Sequence, residues 1–443
     1  MKRVLILAYD FPPYVSVGAL RPYSWYKDFA EFGIYPIVVT RQWSNFYGNK
    51  LDYIAPGQTH SEIIDKSDNG IIIKSPYIPT FGNKLYIKYG DSKYKFIRKT
   101  ISAFYEFSQW LLPIGTKHNI YKSANNYLKD NKVDIIIATG DPFILFKYAS
   151  ILSKRYSIPW IADYRDPWSE GMNINKLLLL KLWHSFFEKQ IVSTSTRITT
   201  VSDFFKFKIS KVIKENEINI ISNGYDELYI DRLEEQHSDT FSIALSGTIY
   251  KWHPLKQFLE VIASLIIEQK INNIHVHFYG INNSNEITSF IENDFPILKN
   301  HIFISPKIHH EELNNKLSFH NVLLLFNDYS IIGTKIYNYL LVKRKILFCF
   351  ENDSESLKIK KKYFKMGEFH FSEKNPQAEL IRKTDAGIIV QDAHQLHSTL
   401  LSLYQEFEEN REVLCNSVNV ELYSRKLQSK QFCEVIKSCI NKH

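Results

Sequence analysis

The chain has 443 residues, which is too long for one ordinary hydrophobic core and predicts two domains. Hydrophobic residues make up 44% and charged residues 23% of the chain, as in globular proteins, and the 55 Lys and Arg exceed the 47 Asp and Glu by eight. No apolar run reaches the ~18 to 20 residues of a membrane span. The four cysteines form no CxxC pair or zinc ligand set, which predicts a reduced, cytoplasmic protein. The mild positive charge favours phosphate-bearing ligands or an anionic membrane surface.

The first half alternates short apolar runs with amphipathic stretches, a pattern typical of a mainly parallel α/β sheet. Residues 3–22, RVLILAYDFPPYVSVGALRP, predict a strand, a Pro/Gly loop and a helix start, which together bring backbone N–H groups near a phosphate. The predicted strands are Val4–Ala8, Pro36–Thr40, Ile71–Lys74, Val133–Ala138, Trp160–Asp163, Arg197–Val201 and Ile218–Ile221. The predicted helices include Ala19–Phe32, Pro142–Tyr156 and Lys176–Ser193.

Residues 84–122 form a basic insertion rich in aromatic side chains. They contain eight Lys or Arg and two Asp or Glu, a net charge of +6, together with Tyr, Phe and Trp residues. Such a segment is suited to an anionic membrane surface. The alternative is a solvated helix pair that packs its aromatic rings on the domain.

The second half repeats the opening, because FSIALSGTIYKWHPLK at 241–256 also predicts a strand, a glycine turn and a helix. Its predicted strands are Ser242–Ser246, His275–Tyr279, Ile302–Ser305, Val322–Phe326, Ile346–Phe350 and Gly387–Val390. Its predicted helices are Pro254–Glu268, Glu311–Leu317, Lys335–Val342 and Ala393–Glu408. The polar stretch DRLEEQHSDT places the domain boundary near 235, which gives domains at 1–235 and 236–417 and a final helix at 418–443.

Candidate catalytic residues follow the strand that begins at Trp160. Asp163, Arg165 and Asp166 would lie at its carboxyl end, where open α/β sheets bind their ligands. The aspartates suit a general base or an acceptor of sugar hydroxyls, and the alternative is an Asp–Arg pair that fixes the loop. Gly18 and Arg21 lie at the first helix start, where a guanidinium meets a phosphate or carboxylate, or else forms a surface ion pair.

Candidate phosphate ligands lie in the second half. Gly247 permits close backbone approach, Thr248 offers a hydroxyl, and Lys251 has the charge that a diphosphate requires. Lys335 opens a helix, and Asn338 follows one turn later, within reach of a ribose hydroxyl. Asn223 and Gly224 end the last strand of the first half, as a tight turn or as a nucleotide contact.

These motifs, in their order and spacing, resemble the retaining GT-B glycosyltransferases of the family-4 type that assemble bacterial surface polysaccharides. The matching stretches are LILAYDFPPYVSVGALRPYSWYKDFAEFGIYPIVVT, DYRDPW, ITTVSDFF, ISNGYDE, LSGTIYKWHP and GTKIYNYLLVKRKIL, within residues 5 to 347. The resemblance implies two Rossmann-like domains facing a central cleft, with the C-terminal helix crossing back to the N-terminal domain. It implies that Gly18 lies near the donor phosphate, that Gly247 and Lys251 contact the diphosphate, and that Thr334, Lys335 and Tyr337 begin the donor-binding helix.

The expected function is metal-independent transfer of a hexose from a nucleotide-diphosphate sugar, with retention, to a glycan or lipid-linked glycan. The expected location is the cytoplasm, or the inner face of the plasma membrane, with no nucleic-acid partner. One departure is clear, because the family's glutamate pair falls on Ser330 and Asn338 here. Two alternatives therefore stay open: a weak or inactive relative that binds a sugar nucleotide, and a sugar-nucleotide epimerase.

Overall fold

The computed structural model describes residues 1–14, 16–43, 50–171, 178–227, 239–308, 310–329, 331–363 and 375–441. The chain forms two compact units, Met1–Asn223 with Arg425–His443 and Gly224–Ser424. The chain therefore enters the second unit after Asn223 and returns to the first at Arg425. The boundary predicted at 235 and 236 lies outside the described residues.

The first unit is built on an eight-stranded sheet in the order β3-β4-β2-β1-β5-β6-β7-β8, in which only β3 is antiparallel to its neighbour among the pairs described. Its strands are β1 Lys2–Leu7, β2 Ile34–Arg41, β3 Ile63–Ser67, β4 Gly70–Ser75, β5 Ile135–Gly140, β6 Trp160–Tyr164, β7 Arg197–Thr200 and β8 Ile218–Ile220. Its helices are α1 Val17–Asp28, α2 Lys50–Ile54, α3 Phe81–Tyr89, α4 Lys95–Ser108, α5 His118–Asp130, α6 Ile144–Tyr156, α7 Leu178–Val192, α8 Asp203–Ser210 and, at the end of the chain, Arg425–Ile440.

The second unit is built on a six-stranded parallel sheet in the order β11-β10-β9-β12-β13-β14. Its strands are β9 Phe241–Ser246, β10 Ile274–Tyr279, β11 Ile302–Ser305, β12 Val322–Phe326, β13 Lys345–Cys349 and β14 Gly387–Val390. Its helices are α9 Leu255–Glu268, α10 Ser284–Asp294, α11 His310–Ser318, α12 Lys335–Val342, α13 Ser354–Tyr363, α14 Pro376–Thr384 and α15 Ala393–Asn410. The helix Arg425–Ile440 that follows is α16.

Both sheets have the doubly wound Rossmann order. In the first sheet, the chain adds strands on one side of β1 and then on the other side, so the strand order reverses between β1 and β5. In the second sheet, the strand order reverses in the same way between β9 and β12. The two predicted Rossmann-like domains are therefore confirmed. Because ligands of such sheets bind outside the carboxyl ends of the strands at this reversal, the topology itself indicates one candidate position in each unit.

Strands buried on both faces explain why the sequence reads as continuous apolar runs. In β1, Leu5 and Leu7 pack into one hydrophobic cluster, while Val4 and Ile6 pack into another on the opposite face. All four side chains are fully buried. A sheet covered by helices on both faces requires this composition, whereas a half-exposed strand would alternate with polar residues.

The C-terminal helix α16 is part of the first core. Phe432 packs edge-on against Trp25 of α1 with ring centroids 4.9 Å apart, and its ring also contacts Phe29. The Ser429 hydroxyl donates to Asp28 at 2.9 Å. The predicted helix at 418–443 therefore begins later, after a 3-10 turn at Val420–Tyr423, and its inner face joins α1.

The predicted elements differ from the structure mainly where local signals are short. The prediction for Lys335–Val342 is correct at both ends, whereas Ile63–Ser67 was not predicted as a strand and pairs antiparallel with β4. Its signal is the Asp-Asn-Gly turn at 68–70, which favours a hairpin. The basic insertion at 84–122 contains most of α3, all of α4 and the start of α5, so it includes the helix pair of the alternative interpretation.

Replacing Phe432 by Ala should destabilise the first unit by about 3–5 kcal/mol, since it removes a fully buried ring between α1 and α16. Six of the seven tryptophans lie in this unit, so urea unfolding followed by tryptophan fluorescence reports on it. Glu434→Ala, on the exposed side of the same helix, is the control and should change stability by less than about 0.5 kcal/mol. Equal effects of the two changes would contradict this account of α16.

Candidate functional site

In the second unit, a lysine lies against a glycine turn at the point where the strand order of the sheet reverses. Gly247 follows β9 with φ +77°, a left-handed conformation that suits glycine, and its N–H donates to the Tyr279 carbonyl at 2.8 Å. Lys335, the first residue of α12, donates from Nζ to the Thr248 carbonyl at 3.3 Å. A Cβ on Gly247 would lie 4.0 Å from Lys335 Cε, so the predicted residues Gly247, Thr248 and Lys335 form one group.

A buried carboxylate that the sequence reasoning missed lies close enough to Lys335 to act on its charge. Asp328, just after β12, accepts from His253 Nε2 at 3.2 Å, and both side chains are buried. Lys360 donates from Nζ to the Asp328 carbonyl oxygen and lies over the rings of Trp252 and Tyr329. The only advance signal was the polar pair Asn327-Asp328 at the end of an apolar strand.

The charges of this cluster shift one another's pKa. Burial acts to raise the pKa of Asp328, but the His253 hydrogen bond and charge, with Lys360 and Lys335, hold it below its usual range. Burial lowers the pKa of Lys360 to about 8 and also lowers the pKa of Lys335, with Asp328 opposing both shifts. Two amines and one carboxylate thus lie together at the carboxyl end of the sheet, where doubly wound sheets bind their ligands.

The remaining donor-side candidates lie near this cluster in sequence but differ in exposure. Thr334 is the residue before α12, and Asn338 is half-buried on that helix. Tyr337 is buried in the hydrophobic core beneath it, and Lys251 is exposed on the turn after Tyr250. Ser330 lies outside the described residues, so its comparison with a family glutamate stays a prediction.

The strand reversal of the first unit gathers acidic side chains around Arg165. The Arg165 guanidinium donates to the carbonyl oxygens of Gly140, the last residue of β5, and of Asp141, which follows it. A Cβ on Gly18 would lie 2.1 Å from Arg165 Nη1 and 2.9 Å from Asp10 Oδ2. Gly18 is therefore required here because it lets α1 begin directly against a guanidinium and a carboxylate.

Arg21 and Asp163 form a buried ion pair rather than two separate ligands. Arg21 donates from Nη2 to Asp163 Oδ1 at 2.8 Å and from Nη1 to the Ile221 carbonyl at 2.9 Å. The Thr139 and Thr199 hydroxyls each donate to Asp163 at 2.8 Å. Because these hydrogen bonds all join groups inside the protein, the pair matches the alternative that fixes the loop, although the arginine is Arg21 and not Arg165.

Asp166 is the exposed carboxylate of the predicted catalytic segment. Desolvation by the surrounding protein raises its pKa to about 6. The charge of Arg165 opposes this shift, and the charge of Asp141 adds to it. Burial also raises the pKa of Asp10, whose Oδ2 accepts from the Ser16 hydroxyl at 3.0 Å. A carboxyl that titrates near neutral pH at a strand end has the property required of a general acid or base.

Glu188 is a buried residue that anchors the loop after β6, and the sequence reasoning missed it. The Tyr164 hydroxyl donates to Glu188 Oε1 at 2.9 Å, and the Ser169 N–H donates to Oε2 at 2.9 Å. The Ser169 hydroxyl donates to the same oxygen. Its signal was a glutamate on the apolar side of α7, next to Phe187.

Asn223 and Gly224 lie at the division between the two units, Asn223 ending the first and Gly224 opening the second. The carbonyl of the preceding residue, Ser222, accepts from Arg21 at 3.2 Å. In the second unit, the Tyr225 N–H donates to the Tyr423 carbonyl at 3.1 Å. The chain segments at the division are thus each held by the unit to which they belong.

Within the described residues, no group of three His, Cys, Asp or Glu side chains is arranged to hold a metal ion. Among the helices described, none combines the length and apolar composition needed to cross a membrane.

Comparison with solved structures identifies the architecture. The chain is similar to sucrose-phosphate synthase from Thermosynechococcus elongatus, at 12% identity and a TM-score of 0.58 with 100% of both chains covered. It is also similar to a glycosyltransferase from Rickettsia africae ESF-5, at 14% identity and a TM-score of 0.55 over 100% and 99% of the two chains. A third similar structure is Anabaena Alr3699/HepE in complex with UDP-glucose, at 9% identity and a TM-score of 0.53 over 99% and 100%. No family model and no curated protein matches the sequence.

The chain therefore has the GT-B fold, with two Rossmann-like units. At 9–14% identity this likeness defines the fold, and the chemistry has to be argued from the residues of this chain.

Replacing Glu188 by Gln should change how stability depends on pH. Burial raises the pKa of Glu188 to about 7 from 4.5, so the folded state holds its proton more tightly than the unfolded state. This stabilisation is complete below pH 4.5 and is lost as pH rises through about 7, a difference of roughly 3 kcal/mol. Urea unfolding between pH 4.5 and 8 should show a smaller loss of stability in Glu188→Gln than in the wild type. Parallel curves for both proteins would contradict this role.

Proposed function

We propose that this protein is a glycosyltransferase that moves a hexose from a nucleotide-diphosphate sugar to a glycan or lipid-linked glycan, with retention. The proposed setting is the synthesis of a cell-surface polysaccharide such as capsule, O-antigen or exopolysaccharide, at the cytoplasmic face of the membrane. The observation that carries the proposal is Lys335 at the start of α12, held against the Gly247 turn at the strand reversal of the second unit. The GT-B fold supports it, and the surface-polysaccharide setting and retention come from the resemblance of the motifs.

The second unit supplies the groups that a departing diphosphate needs. Lys335 supplies a cation, and backbone N–H groups at the start of α12 supply the positive end of a helix. Negative charge grows on the diphosphate as the bond to the sugar breaks, so fixed positive groups stabilise the transition state more than the bound donor. His253 and Asp328 fix the strand end from which the loop to Lys335 departs.

The first unit supplies candidate groups for the acceptor side. Asp166 is exposed and its pKa is about 6, which suits exchange of a proton with an acceptor hydroxyl. Arg165 and Gly18 position this loop through contacts described above. We assign Asp163 and Arg21 a structural role, since their charges pair with each other inside the protein.

We propose that no metal ion takes part, because the amines of the second unit provide the positive charge. Transfer assays with and without a chelator test this point directly. Unchanged turnover supports the proposal, while a loss that added Mg²⁺ or Mn²⁺ restores would contradict it.

Replacing Lys335 by Met should weaken binding of a nucleotide-diphosphate sugar about ten- to a hundred-fold, the loss expected for a charged hydrogen bond. UDP-glucose is the first probe, because it is bound in the similar Anabaena structure, followed by a panel of other sugar nucleotides. Calorimetry and thermal shift both report binding, since a ligand of the folded state raises its stability. Lys343→Met, an exposed lysine just after the same helix, is the matched control and should bind as the wild type does.

Incubation of the wild type with the donor that binds, and with lipid-linked and free glycan acceptors, separates the proposal from its alternatives. A glycosylated product whose anomeric configuration matches that of the donor supports retaining transfer. Binding without transfer or hydrolysis would indicate an inactive relative, for which Asn338 in place of a family glutamate is the motive. Epimerised donor without an acceptor would indicate an epimerase instead.

A further inference from the structure

The helix α4 turns its apolar side to solvent. Phe96, Phe104 and Phe107 share one side at helical spacing, and Phe96 is 82% exposed. None of the residues of α4 is buried. Ile101 and the Arg98 backbone lie against Gly82 of α3. An amphipathic helix of a globular protein normally does the reverse.

A second apolar stripe lies on α7. Leu179, Leu182 and Phe186 recur at helical spacing, with Leu179 82% and Phe186 60% exposed. Their neighbours Phe187 and Ile191 lie in the hydrophobic core instead. The helix is thus apolar on its outer side as well as its inner side, which nothing in the fold of the unit requires.

The two stripes belong to adjacent helices. The rings of Phe107 and Trp183 lie 5.9 Å apart, and Glu106 lies 3.5 Å from His184 Nε2. Together they define what we call the α4–α7 surface, formed by Phe96, Phe104, Phe107, Leu179, Leu182 and Phe186. Exposed apolar groups that cluster on neighbouring elements mark an interaction site, whereas scattered ones do not.

Positive charge surrounds this surface. Residues 81–108 contain six Lys or Arg and two Asp or Glu, a net charge of +4. A groove of about 410 Å³ beside α4 is lined by side chains that include Tyr86, Asp91, Lys95, Arg98 and Lys99, and within it Arg98 pairs with Asp91. An apolar stripe bordered by lysines is the composition of a helix that lies in a membrane interface.

We propose that the α4–α7 surface docks on an anionic lipid bilayer, with its apolar side chains in the acyl boundary and the lysines at the headgroups. Charge complementarity favours this occupant over a second copy of the chain, because a symmetric dimer through this surface would bring two positive patches together. The proposal rests on the proposed function only in its setting at a membrane. Lipid binding is measured without donor or acceptor, so it can fail or succeed independently of sugar transfer.

The surface is joined to the candidate acceptor side. Trp110, just after α4, stacks on Trp168 with ring centroids 4.7 Å apart, and Trp168 follows the Arg165–Asp166 segment closely. Trp168 donates from its indole to His184 Nδ1, on the same helix as the apolar stripe. Docking of α4 and α7 would therefore hold the loop after β6 close to the bilayer, where a lipid-linked acceptor is anchored.

Sedimentation with lipid vesicles tests the proposal on the full chain. The wild type should bind vesicles that contain phosphatidylglycerol more than ten-fold better than vesicles of phosphatidylcholine alone, and binding should fall in salt well above ~0.15 M. Phe96→Ser with Phe104→Ser, and separately Leu179→Ser with Leu182→Ser, should each reduce binding more than ten-fold. Lys95→Gln with Lys99→Gln should reduce it about five-fold for each lysine near the surface.

Ile267→Ser is the matched control, since this residue is 61% exposed on α9 of the second unit. It should bind vesicles as the wild type does, and all variants should unfold at the wild-type urea concentration because they alter exposed side chains. Equal sedimentation of wild type and variants, or no binding to either vesicle, would overturn the proposal. A wild-type dimer that Phe96→Ser with Phe104→Ser converts to a monomer would also overturn it, by assigning the surface to a second copy.

Discussion

The first unit depends on one buried ion pair. Asp163 accepts hydrogen bonds from Arg21 on α1 and from threonines on the two strands that flank β6, while Arg21 also reaches the carbonyls after β8. Removing either charge would leave the other buried and unpaired, which typically costs about 3–5 kcal/mol. The pair fixes the start of α1, and this in turn sets Gly18 against Arg165. The chemistry proposed for Asp166 thus rests on a charge that takes no part in it.

The second unit places its charges differently. Asp328 is paired with His253, and the amines of Lys335 and Lys360 lie nearby and lower its pKa. In the first unit, the carboxyl groups of Asp10, Asp141 and Asp166 lie near Arg165. Both arrangements occupy the reversal of a doubly wound sheet, where ligands bind. In the proposed function, the second unit binds a diphosphate and the first unit exchanges a proton with an acceptor hydroxyl, and this difference in charge is the reason for that assignment.

The fold was predictable because buried parallel strands appear in the sequence as continuous apolar runs. A Pro/Gly loop follows the run at Val4–Ala8, and a glycine turn follows the run at Ser242–Ser246. The grouping of Gly247 with Lys335 followed from the position of both at strand or helix ends. The Arg21–Asp163 pair was not predictable in this form, because the partners lie 142 positions apart and each has an oppositely charged residue nearer to it in the sequence. Glu188 and Asp328 were also missed. The outward turn of α4 was one of two interpretations left open, since periodicity shows that a helix is amphipathic but does not show which side faces the core.

The central claim is that the second unit binds the diphosphate of a sugar nucleotide at Lys335. A crystal structure of the full chain soaked with UDP tests it most directly. The account predicts electron density for a diphosphate within hydrogen-bond distance of Lys335 Nζ and of the backbone at Gly247 or the start of α12. Density for UDP elsewhere in the chain, with Lys335 still bonded to the Thr248 carbonyl, would contradict it.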